Sequence, residues 1–259
     1  MKHITRWFMA LLLAAWAMAA HAAPSDVGIV LMHGKWGNPK TMMQLSGALA
    51  ARGYRVSTPE MAWSGRRLYD VDYPAALKEV EKEVKQLRAN GVKRVVVAGQ
   101  SLGSNAAVAY AASGMDLDAI VILAPGHLPE RFINNPSMKS SLGRAATMVA
   151  ANRGAETDNF EDLNQGRQRQ IRITAAAYVS YFDPEGPGAM TRSIRKIAKP
   201  LPVLLAIGTQ DPFFAESKAF FDSAPAHPAS HYVALEGDHV GLSNLVAAEM
   251  LKWLEPLGQ

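Results

Sequence analysis

Apolar residues along this chain fall into short unbroken runs, separated by stretches in which they recur with a helical period. Val27-Gly28-Ile29-Val30-Leu31-Met32 is the first run, and it ends at His33-Gly34. A run without polar alternation predicts a strand buried on both faces, as in a parallel sheet. Asn38 then caps a helix over 39–52, with Pro39 in its first turn and Gly53 as its stop. Residues 54–59 read as a short second strand. From Tyr73 to Asn90 a helix places Ala76, Leu77, Val80, Val84 and Leu87 on one face, and Gly91 ends it. A third strand over 92–98, a helix over 103–112 and a fourth strand over 117–123 follow, the last closing at Ala124-Pro125-Gly126. The alternation returns with a strand over 202–207, a helix near 216–222, a strand over 230–235 and a closing helix over 242–254.

Strands and helices alternating at this spacing predict right-handed crossovers and an α/β architecture: a mostly parallel sheet of about six strands with helices on both faces. Residues 127–199 break the pattern. They hold no strand-like apolar run and are rich in Arg, Asn, Gln, Gly and Ser, so the expectation is a largely helical, cap-like insertion over the carboxyl ends of the strands. Nothing resembles a repeat or a low-complexity linker, and a single domain over 23–259 is expected.

One run carries more than a strand. Val95-Val96-Val97-Ala98 leads directly into Gly99-Gln100-Ser101-Leu102-Gly103, and helix-prone residues follow. Strand, Gly-x-Ser-x-Gly and helix, in that order, form a nucleophile elbow, in which a serine is held in a strained turn and the two glycines leave room for neighbouring backbone. Alone, the pentapeptide is a weak signal. Two further strand ends strengthen it: Gly208-Thr209-Gln210-Asp211-Pro212 follows the strand ending at Ile207, and Gly237-Asp238-His239 follows the one ending at Leu235. Residues just past the strand ends of a parallel sheet converge on one edge. A serine hydroxyl needs an imidazole to take its proton, and the imidazole needs a carboxylate to fix its tautomer. Asp238 and Glu236 compete with Asp211 for that role, but neighbouring side chains in one loop rarely face each other, which favours Asp211. His227 and His231, in a Pro- and Ala-rich stretch, compete less well with His239.

With His33-Gly34 after the first strand, Gly99-x-Ser101-x-Gly103, Gly208-x-x-Asp211-Pro212 and Gly237-Asp238-His239, the chain resembles the α/β-hydrolase superfamily over about residues 26–256. The resemblance implies Ser101 as nucleophile, Asp211 as the orienting acid and His239 as general base. It also implies an oxyanion hole built from the backbone N–H of Leu102 and one from the turn after His33-Gly34, with Lys35 favoured and Trp36 the adjacent option. The sheet departs from the family at its front: an antiparallel hairpin usually opens it, and here only a few residues precede Val27. His33 is expected to brace the oxyanion turn. Lys35 and Trp36 either line the pocket mouth or are simply exposed, and His127 is a further pocket candidate. Tyr178, Tyr181 and Phe182 either cap the substrate or pack the insertion onto the body; Tyr181 is retained as a pocket candidate.

Composition and termini narrow the class. Lys2 and Arg6 precede an uncharged apolar stretch from Trp7 to Ala20, and Ala20-His21-Ala22 offers a cleavage site. Fourteen residues fall short of the roughly 20 that span a bilayer. Residues 1–22 therefore read as a cleavable signal peptide, and a periplasmic or secreted protein without stable membrane insertion is expected. The formal net charge of +4 drops to +2 once Lys2 and Arg6 are removed, and with no long basic run in the chain, nucleic acid is not an expected partner. Cysteine is absent, which excludes disulfides and a thiol nucleophile. No His/carboxylate cluster has metal-ligand spacing, and no dinucleotide or Walker loop occurs, so no metal or cofactor is expected. The expected activity is that of an exported serine hydrolase acting on a small-molecule carboxylic ester. A peptide or amide hydrolase and a non-catalytic binding protein on the same scaffold are the alternatives. Serine at position 101 disfavours the epoxide- and halide-cleaving relatives, which carry Asp there.

Overall fold

The computed structural model describes residues 24–257; the signal segment inferred above lies outside them. Six strands form one sheet in the order β2-β1-β3-β4-β7-β8, all parallel: β1 Val27–Met32, β2 Arg55–Ser57, β3 Arg94–Ser101, β4 Ala119–Pro125, β7 Val203–Gly208 and β8 His231–Leu235. The apolar runs account for this directly, since every residue of β1, β4 and β7 is buried. Because successive side chains point to opposite faces, each run feeds two cores. Val30, Met32, Val95 and Val97 meet helix α2 (Tyr73–Ala89) on one side. Ile29, Leu31, Val96 and Ala98 meet α1 (Met43–Ala50) and the final helix α10 (Ala247–Leu257) on the other. Each aliphatic side chain so buried contributes about 1.5–3 kcal/mol, which a chain without disulfides needs. Helix α3 (Leu102–Ala112) is almost wholly buried, its Ser104 and Asn105 included, as expected of a helix enclosed by the sheet and its neighbours.

The insertion differs from expectation. Its helices α4 (Pro129–Phe132), α5 (Pro136–Ala150), α6 (Ala175–Phe182) and α7 (Met190–Ser193) are interrupted by a separate antiparallel hairpin, β5 Thr157–Asn164 and β6 Arg167–Thr174. The turn residues Gln165 and Gly166 both have positive φ, 50° and 73°, as a two-residue hairpin loop with the twist of its strands requires. Period-2 burial explains why no apolar run announces it. Phe160, Asp162, Ile171 and Ile173 point inward, Gln168, Gln170 and Arg172 face out, and one of the four inward positions is a carboxylate. Phe160 stacks on Tyr178, and Tyr178 on Phe182, fastening the hairpin to α6. The remaining helices, α8 (Phe214–Phe221) and α9 (Leu242–Leu245), follow β7 and β8. Among the described residues no helix is long and apolar enough to cross a membrane.

Candidate active site

Ser101 ends β3 and precedes α3 with φ 56° and ψ −117°, a conformation that persists only when its surroundings over-determine it. Here the surroundings are backbone. A Cβ on Gly99 would lie 2.3 Å from the Gly103 carbonyl carbon, and one on Gly103 would lie 2.6 Å from Met32 O. Helix α3 can therefore cross β1 and β3 this closely only through glycine. Ser104 Oγ donates to Gly99 O at 2.7 Å and accepts from the Leu123 N–H at 3.0 Å, pinning the turn from the helix side.

Asp211 and His239 meet at the ends of β7 and β8. His239 Nδ1 donates to Asp211 Oδ2 at 2.7 Å, and both side chains are buried. The Phe213 N–H holds Asp211 Oδ1 at 2.8 Å. Gln100 Nε2 donates to His239 O at 2.8 Å, so the elbow itself anchors the histidine loop. The two loops are pressed together at Gly208, whose Cβ would lie 2.3 Å from Gly237 O. The rival acids Asp238 and Glu236 are exposed, as is the rival histidine His231. With Nδ1 spent on Asp211, His239 Nε2 is buried and has no partner among the described residues. A methyl group on Gly126 would sit 2.8 Å from Ser101 Oγ and 3.2 Å from His239 Cε1. The hydroxyl and the imidazole thus flank one point, which glycine keeps open.

The two turns that could supply N–H donors lie beside Ser101. Leu102 occupies the first position of α3, where backbone N–H groups lack intrahelical acceptors. In the turn after β1, the Trp36 N–H donates to Trp63 O at 2.9 Å and the Gly37 N–H to Gly34 O at 3.1 Å. The Trp36 N–H is thus already taken up, whereas no bond from the Lys35 N–H to a protein acceptor is found among the described residues. A Cβ on Gly34 would lie 3.2 Å from Ser101 Cβ, so this turn sits directly over the serine. His33 braces it: Nδ1 donates to Gly34 O at 2.8 Å, Nε2 accepts from the Met61 N–H at 3.1 Å, and His33 O accepts from Trp63 Nε1 at 2.8 Å. Burial lowers the His33 pKa, in keeping with a neutral ring.

A cavity of about 450 Å³ opens at Ser101 and His239, with Gly126, His127, Phe132 and Phe213 in its walls. A second, of about 240 Å³, reaches Ser101 from the side of Gly34, Thr41 and Ser243. The hairpin residues Asn164 and Gln165 line both. His127 lines the larger one with φ 61°, its Nε2 donating to Tyr181 O at 2.7 Å. Burial and the neighbouring Lys35 charge push its pKa well down. Two pocket candidates belong elsewhere. Tyr181 is wholly buried, edge-on to Tyr69 and Tyr73, and lines neither cavity, because α6 turns its aromatic face into the body. Trp36 also lines neither; its indole donates to Asp162 Oδ2 at 2.6 Å.

Sequence reasoning missed three polar residues around the site. Gln100 is one. Asn105, buried in α3, donates to His127 O at 2.9 Å and Gly188 O at 2.6 Å and accepts from Tyr73 Oη. Asp162 lies on the unforeseen hairpin. The only trace of these in the sequence is polar residues at inward positions. Among the described residues, no group of three or more His, Asp or Glu side chains is placed to hold a metal ion.

The sequence profile of the alpha/beta hydrolase family matches residues 29–251. The chain belongs to the alpha/beta hydrolase family. No curated protein matches it. Solved structures similar to this hydrolase include one reported for LipS and LipT, two metagenome-derived lipolytic enzymes (15% identity, 89% of this chain and 94% of the other, TM-score 0.62). Another is a monoacylglycerol lipase of Paleococcus ferrophilus (18% identity, 88% and 94%, TM-score 0.61). A third is a thioesterase domain from the curacin biosynthetic pathway (16% identity, 90% and 92%, TM-score 0.58). At these identities the likeness is one of fold. Among the described residues the first strand of the hydrolase's sheet is the parallel strand β1.

Proposed function

We propose that this hydrolase cleaves a carboxylic ester through an acyl-enzyme formed on Ser101. The observation that carries the reading is the buried Asp211–His239 pair, joined at 2.7 Å through Nδ1. It leaves Nε2 unpartnered beside the point that Ser101 Oγ also flanks. His239 Nε2 takes the hydroxyl proton as Oγ attacks the carbonyl carbon, and Asp211 stabilises the imidazolium. The N–H groups of Leu102 and Lys35 receive the oxyanion. His239 then returns the proton to the leaving alcohol oxygen. In the second half-reaction it deprotonates a water that attacks the acyl carbon, and Ser101 leaves with that proton. An alcohol leaves with less help than an amine, which favours an ester. Cavities on both sides of Ser101 suit the acyl and alcohol parts, and Phe132 and Phe213 give the larger one an apolar wall.

The test uses purified protein, p-nitrophenyl and alkyl esters of graded chain length, peptide amides and a fluorophosphonate probe. Wild type should hydrolyse at least one ester and be labelled at Ser101. Ser101→Ala should abolish labelling and lower kcat/KM by at least about 10³-fold, because the triad acts as a unit. Turnover of amides alone would replace the ester reading by an amidase. Neither turnover nor labelling would leave a binding protein on a hydrolase scaffold.

A further inference from the structure

We propose that Asp162, carried on the β5–β6 hairpin, is the positioning residue of the oxyanion hole: it grips the side chains of residues 35 and 36 and so aims the Lys35 peptide N–H at the oxygen that gains charge over Ser101. The inference rests on the esterase reading above and adds a residue to it from outside the strand-end loops.

Asp162 is wholly buried and faces inward from β5. Its Oδ1 accepts from Lys35 Nζ at 2.7 Å, and its Oδ2 accepts from Trp36 Nε1 at 2.6 Å and Tyr69 Oη at 2.8 Å. Lys35 Nζ also donates to Leu163 O at 2.9 Å, and Asn164 Nδ2 donates to Lys35 O at 3.2 Å. The hairpin therefore holds residues 35 and 36 by both side chains and by one carbonyl. From the other strand Arg169, the register partner of Asp162, stacks its guanidinium 3.9 Å from the centre of the Trp36 ring. The indole is fixed at its edge and on its face.

Such a grip has a local reason. Residues 35 and 36 lie in a turn, outside helix and strand, and Trp36 has φ 59°. A bulky aromatic avoids this left-handed region unless its contacts impose it. The donor N–H belongs to the Gly34–Lys35 peptide, and one further peptide, whose own N–H is held by Trp63 O, joins it to this strained residue. Releasing the indole lets Trp36 relax, and the Lys35 N–H then turns away from Ser101. Although Lys35 borders both cavities, its ammonium is engaged within the protein. The side chain is only 2% exposed, is bonded to Asp162 and Leu163 O, and lies against the rings of Phe132 and Phe182. Burial lowers its pKa while Asp162 opposes that shift. A buried carboxylate and ammonium are tolerated because they meet each other, and here their meeting point is the oxyanion turn.

The test compares wild type with Asp162→Asn and with Asn164→Ala on an ester that wild type hydrolyses. It reads kcat and KM separately, and also inhibition by a trifluoromethyl ketone, whose adduct with Ser101 places an oxyanion in the hole. Asp162→Asn should lower kcat by about 10²-fold with KM held within about twofold, the size of losing one oxyanion donor. Ketone affinity should fall in step. Asn164→Ala, which removes a single partly exposed bond, should lower kcat by less, about threefold to tenfold. Thermal melts establish that each variant is folded, and if Asp162→Asn is not, Trp36→Phe, which removes only the indole bond to Asp162, is read in its place and should likewise lower kcat at unchanged KM. Folded variants with wild-type kcat and ketone affinity overturn the positioning role, as does a raised KM at unchanged kcat, which marks the hairpin as a substrate wall only; both leave the esterase reading standing. A wild type that neither hydrolyses esters nor binds the ketone at Ser101 overturns that reading and the role of Asp162 with it.

Discussion

Single residues in this hydrolase are held by backbone groups more than by other side chains. His33 and Gln100 each place a ring or amide nitrogen on a carbonyl of the catalytic edge, and His127 places one on Tyr181 O of the insertion. His33 Nε2 also accepts from the Met61 N–H, which requires a neutral ring, and burial disfavours the charged form of His127; that ties stability to pH. His127 is buried and its pKa lies well below the ordinary 6.5. In the unfolded chain the same ring protonates near 6.5, so below that pH the unfolded state binds a proton that the folded state does not. Its contribution to stability is therefore complete above about pH 6.5 and is lost as pH falls through that value towards the folded pKa, at up to about 1.4 kcal/mol per pH unit. His33 shifts in the same sense. Urea unfolding of wild type and His127→Gln at about pH 7.5 and pH 5.5 should show a smaller acid loss in the variant. Equal losses would mean that the imidazole is protonated in the folded protein.

At the level of elements, glycine decides how closely backbones approach, and the consequence differs from one glycine to the next. Gly99 and Gly103 let α3 cross β1 and β3, and a Cβ on Gly99 would strike the Gly103 carbonyl carbon at 2.3 Å. Gly99→Ala should cost at least the upper part of the about 1–3 kcal/mol typical of overpacking, and it should impair labelling of Ser101 as the elbow shifts. Gly143 lies inside α5, exposed, with nothing within 4 Å of its Cβ position. Gly143→Ala should stabilise the protein by about 0.5–1 kcal/mol, because alanine loses less backbone entropy in a helix. Denaturant midpoints for the pair check both signs. The same local rules made β1, β3, β4 and β7 legible, since an unbroken apolar run leaves few choices. They failed for β5 and β6, where a buried carboxylate at Asp162 and an Arg/Gln-rich outer face disguise the period.

For the whole molecule, the sheet brings three strand ends to one edge and the insertion closes over it. Export belongs to this scale too. We propose that residues 1–22 direct secretion and are removed after Ala22, on the evidence of Lys2, Arg6 and the apolar stretch to Ala20. Intact-mass measurement on protein recovered from a bacterial periplasm should then give a chain beginning at Ala23; an unprocessed cytoplasmic product would refute it. What the sequence by itself determined is local in origin. Apolar runs dictate a parallel sheet, Gly-x-Ser-x-Gly dictates a tight strand-to-helix turn, and the loops after β3, β7 and β8 must share an edge once that sheet forms. Ser101, Asp211 and His239 could therefore be brought together on paper. Only the tertiary structure shows the Trp36 N–H taken by Trp63 O, the contact on which the proposal of Lys35 as donor rests. It likewise turned Trp36 and Tyr181 away from the pocket and set Asp162 against Lys35, 127 residues apart in the chain. Such pairings follow from which segments cross in space, and no local propensity encodes them.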